Sequence, residues 1–510
     1  MDMKKLFYTL MLTAALTSCN LDLAPENVMV DQTVYSEPKT AQAALYGAYV
    51  RMNIFLAGAP EDQNNYSYSS YCWLAGDLGT ENLITREDGS TGHIALESGE
   101  YENSVRDGEI LTSWLKGYNA IDYANNIIDG VSKFGDLENP ENKRIIAEGK
   151  FLRAFNYFNL LKMFGDGALT GNGDGLGLII RDKPYDGYNP DQIQTRATVD
   201  QTWEFIITDL EQAIPDLPAT PSAAASRFVA TAPVAKALLS RVYLYKGSYT
   251  NDTSCMDKVI EYATDVLDCD AYIFESLSTA HHRSLFPSNE YDNNLASSYP
   301  DPVARSSEII FYQPSRISTD LYPNGSSSPF FTKRTFYIEP EFSAATYAEG
   351  DLRGYIEDSP DCMIWHGSDN YYPDDLTTLK YTNNAGYDDV IFIRLSEIKL
   401  NLAEALARRD GITEEALKHL NDIRRRPFAP EARPTFLTAA DFASTEAFIS
   451  EILTERNREL AFESHQRWDL IRTGRPLRNA ELSDAQKILP IPDYEVNISK
   501  GKIEQNTAFR

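Results

Sequence analysis

The sequence predicts an all-α fold: a tetratricopeptide-like helical scaffold that carries long irregular loop insertions. Two observations lead to this prediction. Apolar residues recur at spacings of three and four in several segments, as they do on one face of an α-helix. Between those segments lie long stretches rich in Gly, Pro, Asn, Asp, Ser and Tyr. Small residues such as Ala403, Ala405 and Ala407 would allow close helix contacts, as in degenerate helical-hairpin repeats.

The predicted helices follow one another along the chain. The pattern is clearest in a segment whose apolar residues are Phe151, Ala154, Phe155, Phe158 and Leu161. The other predicted helices lie near 38–52, 109–133, 198–214, 235–245, 254–267, 398–406, 416–423 and 444–463. The predicted insertions are the polar stretches 53–108, 166–197 and 270–390. We find no linker that would cut this scaffold into independent domains.

Charge and composition narrow the choice of partners. The chain of 510 residues has 47 basic and 75 acidic side chains, a net charge of −28. Such a surface repels phosphate backbones, so no nucleic-acid partner is expected. The 30 tyrosines are typical either of exposed amphipathic contact surfaces or of a large core rich in rings.

The N-terminus resembles a lipoprotein leader. Lys4 and Lys5 precede an apolar run of eleven residues, 6–16, which is too short for a bilayer that needs about 20 residues. The run ends in Leu-Thr-Ser-Cys, which is similar to a bacterial lipobox. We therefore expect residues 1–18 to be a signal peptide and Cys19 to be lipidated, and acyl chains there would anchor the protein. Residues 19–510 are expected to form one domain.

Motifs of catalysis and metal binding are missing from the sequence. It contains no HExxH, no P-loop and no GxSxG. The adjacent His281 and His282 would point in different directions, so neither a metal nor a cofactor is expected. The cysteines after Cys19 are few and widely spaced, so no disulfide framework is implied.

Three acids in one predicted helix require a separate interpretation. Glu455, Glu459 and Glu463 stand at positions i, i+4 and i+8, where like charges repel unless cations intervene. The nearby cations are Arg456, Arg458 and Arg467. We interpret the group as an interlocked ion-pair set, because the two acids of a glycosidase normally face each other across a cleft.

The same region resembles the SusD/RagB family. The stretch ILTERNRELAFESHQRWDLIRTG, 452–474, is similar to the family signature, except that Ser464 stands where the family usually has Gly. Further blocks that resemble the family, in the same order, are 19–52, 114–128, 147–166, 235–249, 392–406 and 489–506. Together these blocks cover nearly the whole chain.

The resemblance implies a fold and a role. Family members are tetratricopeptide-type helical bundles with a loop-rich face, with an N-terminal part here of about 19–230 and a C-terminal part of about 231–510. They are surface-exposed, lipid-anchored outer-membrane lipoproteins of Bacteroidetes. They sit on a SusC-like TonB-dependent transporter and deliver oligosaccharides, although some bind peptides. The resemblance therefore implies a glycan-binding protein and not an enzyme.

Two insertions have the chemistry of a glycan site. An aromatic ring stacks on the apolar face of a pyranose, and carboxylates, amides and guanidinium groups bind its hydroxyls. In the family the ligand site usually draws on the early insertion. The predicted ligand-binding residues are Tyr71, Trp73, Asp77 and Arg86 in that insertion, and Tyr291, Trp365, Tyr371 and Tyr372 in the long one.

Two other functions stay open at this point. A peptide-binding or assembly scaffold on the same fold would use backbone-pairing grooves and fewer stacked rings. A glycoside hydrolase would need two exposed carboxyl groups about 5–10 Å apart in a cleft.

Overall fold

A computed structural model describes residues 31–57, 71–86, 91–187, 189, 193–221, 223, 226–275, 277, 285–286, 305–313, 336–357, 362–366, 376–380 and 389–510. The prediction of a helical scaffold is confirmed, because most of the described residues are helical. The helices are α1 Asp31–Tyr35, α2 Pro38–Ala57, α3 Tyr71–Leu74, α4 Thr91–Ser98, α5 Asn103–Val105, α6 Leu111–Phe134, α7 Pro140–Phe164, α8 Val199–Ala213, α9 Ala232–Gly247, α10 Thr253–Leu267, α11 Pro340–Thr346, α12 Leu395–Asp410, α13 Glu414–Arg425, α14 Thr445–Leu460, α15 Gln466–Arg472 and α16 Asp493–Ile498. A π-helical turn, Arg106–Ile110, leads into α6.

The long helices pack in chain order. Helix α6 packs against α7, α7 against α8, α8 against α9 and α9 against α10. The next long helix, α12, packs directly against α10, although the longest predicted insertion separates them in the chain. Helices α13 and α14 then pack against α12. This succession of neighbours is the stacking that helical-hairpin repeats produce.

Local signals set the helix boundaries. Helix α7 begins after Asn139, whose side chain accepts a hydrogen bond from the backbone N–H of Glu141, and Pro140 occupies the first turn. Helix α8 begins with a capping box, in which Thr198 and Gln201 each bond to the other's backbone N–H. Such caps satisfy backbone donors that the first turn of a helix leaves without partners.

The core is shared between the two ends of the chain. One cluster of buried apolar side chains has members from Ala41 to Ile503. At its centre Phe155 of α7 lies 5.8 Å from Phe311 and 5.5 Å from Phe392, measured between ring centroids. Edge-to-face and tilted arrangements of this kind are favourable for aromatic pairs. The four described cysteines are free thiols.

The described residues include six short strands, in the insertions and at their ends. They are β1 Ile84–Thr85, β2 Ile309–Gln313, β3 Phe336–Tyr337, β4 Ile364–His366, β5 Leu376–Thr378 and β6 Val390–Arg394. The antiparallel pairs are β1 with β3, β2 with β6, and β4 with β5. In the second pair Gln313 faces Val390, so the chain between these residues leaves from and returns to one two-stranded stem. Both strands of the stem are buried.

In the part of the chain that the structure describes, no helix is both long and apolar enough to span a membrane.

Candidate ligand-binding site

Two insertions meet at a small group of strands, which we call the β patch and define as β1, β3, β4 and β5. Strand β1, from the early insertion, pairs with β3 of the long one, with Ile84 facing Tyr337. Ile338, the residue after β3, bridges to Leu376 of β5. Strand β5 pairs in turn with β4. The patch therefore continues across both insertions.

One face of the β patch belongs to the core. Side chains alternate between the faces of a strand, and one set is buried: Thr85, Phe336, Ile338, Ile364 and Leu376. Beneath them, the imidazole of His93 in α4 lies 5.0 Å from the ring of Phe336 and 5.8 Å from the ring of Tyr71. Burial lowers the pKa of His93 to about 3, so this imidazole is neutral at physiological pH.

The opposite set of side chains is partly exposed. Ile84, Tyr337 and Thr377 belong to it, and all three are only half-buried. Arg86 follows β1, and its guanidinium lies over the ring of Tyr337, 4.9 Å from the ring centroid. A cation over an aromatic face is held electrostatically, by about 0.5–1 kcal/mol at an exposed site. The pair combines a flat apolar ring with several hydrogen-bond donors.

Trp365 lies on the neighbouring strand of the same patch. The β4–β5 register pairs it with Thr377, while Ile364 beside it pairs with Thr378. Neighbouring strands lie about 4.8 Å apart. Strand β1 is three such steps from β4, through β3 and β5, so the backbones of the Arg86 and Trp365 segments lie roughly 15 Å apart. The structure thus brings together one predicted residue from each insertion.

Three other predicted residues lie in the core. Tyr71 is 1% exposed, Trp73 6% and Asp77 3%. Trp73 packs edge-on against Phe392 of β6, with the ring centroids 5.8 Å apart. We expected these side chains to contact ligand, but in this structure they offer a sugar no surface on which to stack. The physical reason is that their segment forms α3 and the following turn, which the core covers.

Asp77 attaches the early insertion to the C-terminal part of the chain. Its carboxylate accepts hydrogen bonds from the side chain of Asn82 and from the backbone N–H groups of Phe462 and Ser464, at 2.9, 3.1 and 2.8 Å. Burial raises its pKa to about 6, against the effect of these donors. The role visible here is structural.

The remaining predicted site residues are Tyr291, Tyr371, Tyr372 and Cys19, and they lie outside the described residues. Tyr337 and Thr377 were missed by the sequence analysis. The alternating Phe336–Tyr337–Ile338 segment is the signal that could have indicated a half-buried strand there.

The three acids near the C-terminus are buried in ion pairs, as predicted. Glu455 pairs with Arg353 at 2.6 Å, and Glu463 pairs with Lys380 at 2.6 Å. Glu459 pairs with Arg353, Arg394 and Arg426. Burial alone would raise the pKa of Glu459, but the three guanidinium groups hold it well below its usual value.

The predicted cations were wrong in two of three cases. Arg458 does pair with Glu455, at 3.2 Å. Arg456 instead pairs with Asp469 at 2.7 Å. Arg467 donates to the carbonyl oxygens of Leu78, Leu96 and Lys487. Proximity in the chain suggested these partners, whereas the actual cations come mostly from β6, the residue after α13 and the long insertion.

These acids do not form a catalytic pair in the structure, because each carboxylate is buried and paired with a cation. Over the same described ranges, no group of three His, Cys, Asp or Glu side chains is arranged to hold a metal ion.

Two family models match this chain. Residues 59–244 match the SusD-like family described as "Starch-binding associating with outer membrane", and residues 354–487 match the SusD family model. The two matches together cover more than half of the 510 residues.

Similar proteins and structures extend over nearly the whole chain. SusD-like protein P2 of Formosa agariphila is 24% identical over 96% of this chain and 94% of its own length. A SusD superfamily structure from Bacteroides thetaiotaomicron covers 92% of this chain and 99% of its own, with a TM-score of 0.69 and 24% identity. A structure described as a SusD-like carbohydrate binding protein from Bacteroides vulgatus covers 87% of this chain and 85% of its own, with a TM-score of 0.67 and 19% identity. The fold, the two family matches and the signature around α14 and α15 lead to one conclusion: the chain belongs to the SusD/RagB family.

Proposed function

We propose that this protein is a cell-surface glycan-binding lipoprotein that captures oligosaccharide or polysaccharide and passes it to a SusC-like TonB-dependent outer-membrane transporter. The observation that carries the binding function is the β patch, where two insertions present a partly exposed ring, a guanidinium and a hydroxyl on one face. The carbohydrate-binding description of a related structure supports the same assignment.

The chemistry of the patch suits a sugar. The ring of Tyr337 offers an apolar face for pyranose C–H groups, and stacking there contributes about 0.5–1.5 kcal/mol beyond burial. The guanidinium of Arg86 and the hydroxyl of Thr377 can bond to sugar hydroxyls. We propose that Trp365, at the register position beside Thr377, supplies a second ring.

Further contacts would come from the rest of the long insertion. We propose Tyr291, Tyr371 and Tyr372 as additional ring contacts, since they are close in sequence to described parts of the long insertion. A few weak contacts of this kind give affinities of about micromolar to millimolar. Such affinities suit a protein that must release its cargo to a transporter.

Binding rather than catalysis is the proposed activity. A glycosidase needs two carboxyl groups flanking the scissile bond, whereas the acids of the family signature are buried and paired with cations. The purified protein is expected to release no reducing sugar from any glycan that it binds. Release of reducing sugar that persists through purification and disappears when one acidic residue is substituted would contradict this expectation.

The anchor and the partner are also proposals. We propose that residues 1–18 are removed, that Cys19 carries the lipid, and that residues 19–510 form one domain in which the shared core holds both parts together. A Cys19→Ala variant should appear in the soluble fraction of cells instead of the outer membrane. Co-purification of the transporter with the lipidated protein, and its loss after deletion of the transporter gene, would test the partnership.

The decisive experiment is affinity electrophoresis of the purified protein through gels containing plant, host or microbial polysaccharides. Tyr337→Ala and Trp365→Ala should each lose the retardation that one glycan causes. Tyr185→Ala is the matched control, because this tyrosine is 59% exposed and lies beside α6, where its backbone N–H bonds to Asp122. Circular dichroism and the melting temperature show whether each variant is folded.

If both patch variants are still retarded, the polysaccharide binds at another site on the protein. Absence of retardation by every polysaccharide would favour the peptide-binding or scaffold alternative, and a peptide panel would then test it.

A further inference from the structure

A second groove, none of whose lining residues belongs to the β patch strands, lies between α11, α14 and α15. Its volume is about 210 Å³, which is smaller than the 300–1,000 Å³ typical of drug-sized ligands and suits one small molecule such as a monosaccharide. The lining is mostly polar, and the residues that could bind a ligand are Thr454, Asn457, Arg458, Gln466, Thr473 and Arg475. We call it the α14–α15 groove.

Arg475 is the unusual residue of this groove. Its side chain is half-buried, and its backbone N–H bonds to the carbonyl oxygen of Leu470 at 2.8 Å. Yet no carboxylate of the described residues lies within 4.0 Å of its guanidinium, and this side chain makes no hydrogen bond to them. A half-buried guanidinium has lost part of its hydration, so a counter-ion in contact with it would be favourable.

The neighbouring acids are already fully paired. Asp469 pairs with Arg456 at 2.7 Å and with Arg472 at 2.8 Å. Glu404 pairs with Arg472 at 2.7 Å and with Arg408 at 2.8 Å. Two carboxylates therefore serve three arginines before Arg475 is counted. Burial lowers the pKa of Arg475, and the positive charges of Arg408 and Arg472 act in the same direction, against the opposing effects of Glu404 and Asp469.

This local excess of positive charge contrasts with the net charge of −28 of the whole chain. A guanidinium binds a carboxylate through two parallel hydrogen bonds. An anion in the groove would supply the counter-ion that Arg475 lacks among the described residues.

The other lining groups fit hydroxyls. Asn457 accepts a hydrogen bond from Asn82 at 2.9 Å through its oxygen, so its NH₂ group is directed to other partners. The hydroxyl of Thr454 donates to the carbonyl oxygen of Ser450 at 2.9 Å, and that of Thr473, directly after α15, donates to the carbonyl oxygen of Asp469 at 2.7 Å. Their oxygens can still accept from a ligand. Gln466 adds an amide with both a donor and an acceptor.

We propose that the α14–α15 groove binds a carboxylate-bearing sugar residue, with Arg475 on the carboxylate and the amides and hydroxyls around it on the ring hydroxyls. The inference extends the proposed glycan binding to a second site and to acidic sugars. It stands on contacts separate from those of the β patch.

The experiment compares galacturonic acid with galactose, which differ in that a carboxylate replaces a hydroxymethyl group. Titrations of the purified protein, followed by calorimetry or ligand-observed NMR, should show that galacturonate binds at least about tenfold more tightly than galactose, as a charge-assisted pair would give. Acetate should bind more weakly than galacturonate, because it lacks the hydroxyls. Binding should weaken as salt increases.

Variants locate the binding. Arg475→Gln should lose roughly tenfold in galacturonate affinity, and Gln466→Ala should lose less, while Arg510→Gln should leave the affinity unchanged. Arg510 is a matched control because its side chain is 53% exposed and pairs with Glu504 at the C-terminus. Equal affinity of the wild type and a folded Arg475→Gln variant would overturn the proposal, as would equal affinity for galacturonate and galactose, or for galacturonate and acetate.

The proposals for the two sites can be rejected separately. Tyr337→Ala should abolish retardation by polysaccharide and leave galacturonate binding intact, and Arg475→Gln should not affect retardation by a neutral glycan. If the wild-type protein binds galacturonate but is retarded by no polysaccharide, only the proposal for the β patch is rejected.

Discussion

The carboxylate of Asp77 accepts a hydrogen bond from the backbone N–H of Ser464 at 2.8 Å, although 387 positions separate the two residues in the chain. Ser464 has a φ of 65°, in the left-handed region. Beside it lies Gly76, at which an added Cβ would come within 2.4 Å of the Ser464 backbone. The early insertion and the segment between α14 and α15 are therefore fitted closely to each other.

The left-handed backbone at Ser464 predicts that Ser464→Gly leaves the protein as stable or more stable. A left-handed conformation costs an L-residue about 1–2 kcal/mol, and the greater flexibility of unfolded glycine offsets about 0.5–1 kcal/mol of the gain. Urea unfolding should show a change in the free energy of unfolding between zero and about +1 kcal/mol. A clear loss of stability would mean that the serine hydroxyl stabilises the fold.

The close approach at Gly76 predicts the opposite effect for Gly76→Ala. The new methyl group would meet backbone atoms, which cannot move aside as a flexible side chain can, so we expect a loss of about 1–3 kcal/mol. Gly47→Ala is the matched control. Gly47 lies inside α2 with no atom within 4 Å of an added Cβ, so this change should be neutral or stabilising by up to about 1 kcal/mol.

Buried histidines predict that the protein loses stability as the pH falls below about 6.5. Burial lowers the pKa of His93 to about 3 and that of His419 to about 4. Between those values and the usual 6.5, the unfolded chain binds protons that the folded chain does not. The free energy of unfolding should therefore fall with decreasing pH in this window, by up to about 1.4 kcal/mol per pH unit for each histidine.

Unfolding measured between pH 7 and pH 5 checks this expectation. His93→Leu should reduce the slope, because it removes one of the groups that take up a proton on unfolding. A slope identical to that of the wild type would show that His93 does not remain neutral in the folded protein.

The buried acids predict a large loss of stability for Glu459→Gln. This change removes the charge that three arginines share and leaves buried cations uncompensated, which costs about 3–5 kcal/mol. The control is Glu261→Gln, since Glu261 forms an exposed pair with Lys258 whose loss should cost no more than about 1 kcal/mol. Similar midpoints of chemical denaturation for both variants would contradict the prediction.

Helical periodicity was enough to predict the scaffold. The apolar spacing around Phe155 predicted a helix that the structure extends over Pro140–Phe164, because a repeat of 3.6 residues is a local property of the chain. The packing of α10 against α12 could not be predicted in the same way. It depends on the pairing of β2 with β6, far apart in the chain.

The site was less predictable. Composition cannot distinguish a ring beneath a loop from a ring on its surface. Trp73 was predicted as a ligand contact because the early insertion combines aromatic rings with polar side chains, yet it packs against Phe392 in the core. Arg86 is partly exposed, but the ring over which it lies belongs to Tyr337, in a different insertion. Only the tertiary fold shows that pairing.

The cations that pair with the buried Glu455, Glu459 and Glu463 affect whether binding loops can be exchanged between related proteins. Arg353 and Lys380 both come from the chain between Gln313 and Val390, and they neutralise Glu455 and Glu463 of the scaffold. A transplanted segment that matched the two strand ends but lacked these two basic residues would leave Glu455 with Arg458 alone and Glu463 with Arg394 alone, and so would weaken the neutralisation of two buried acids. A transplanted segment that retains both basic residues should allow the scaffold of a relative to fold. If the proposed site is correct, the chimera should then have the ligand preference of the donor protein.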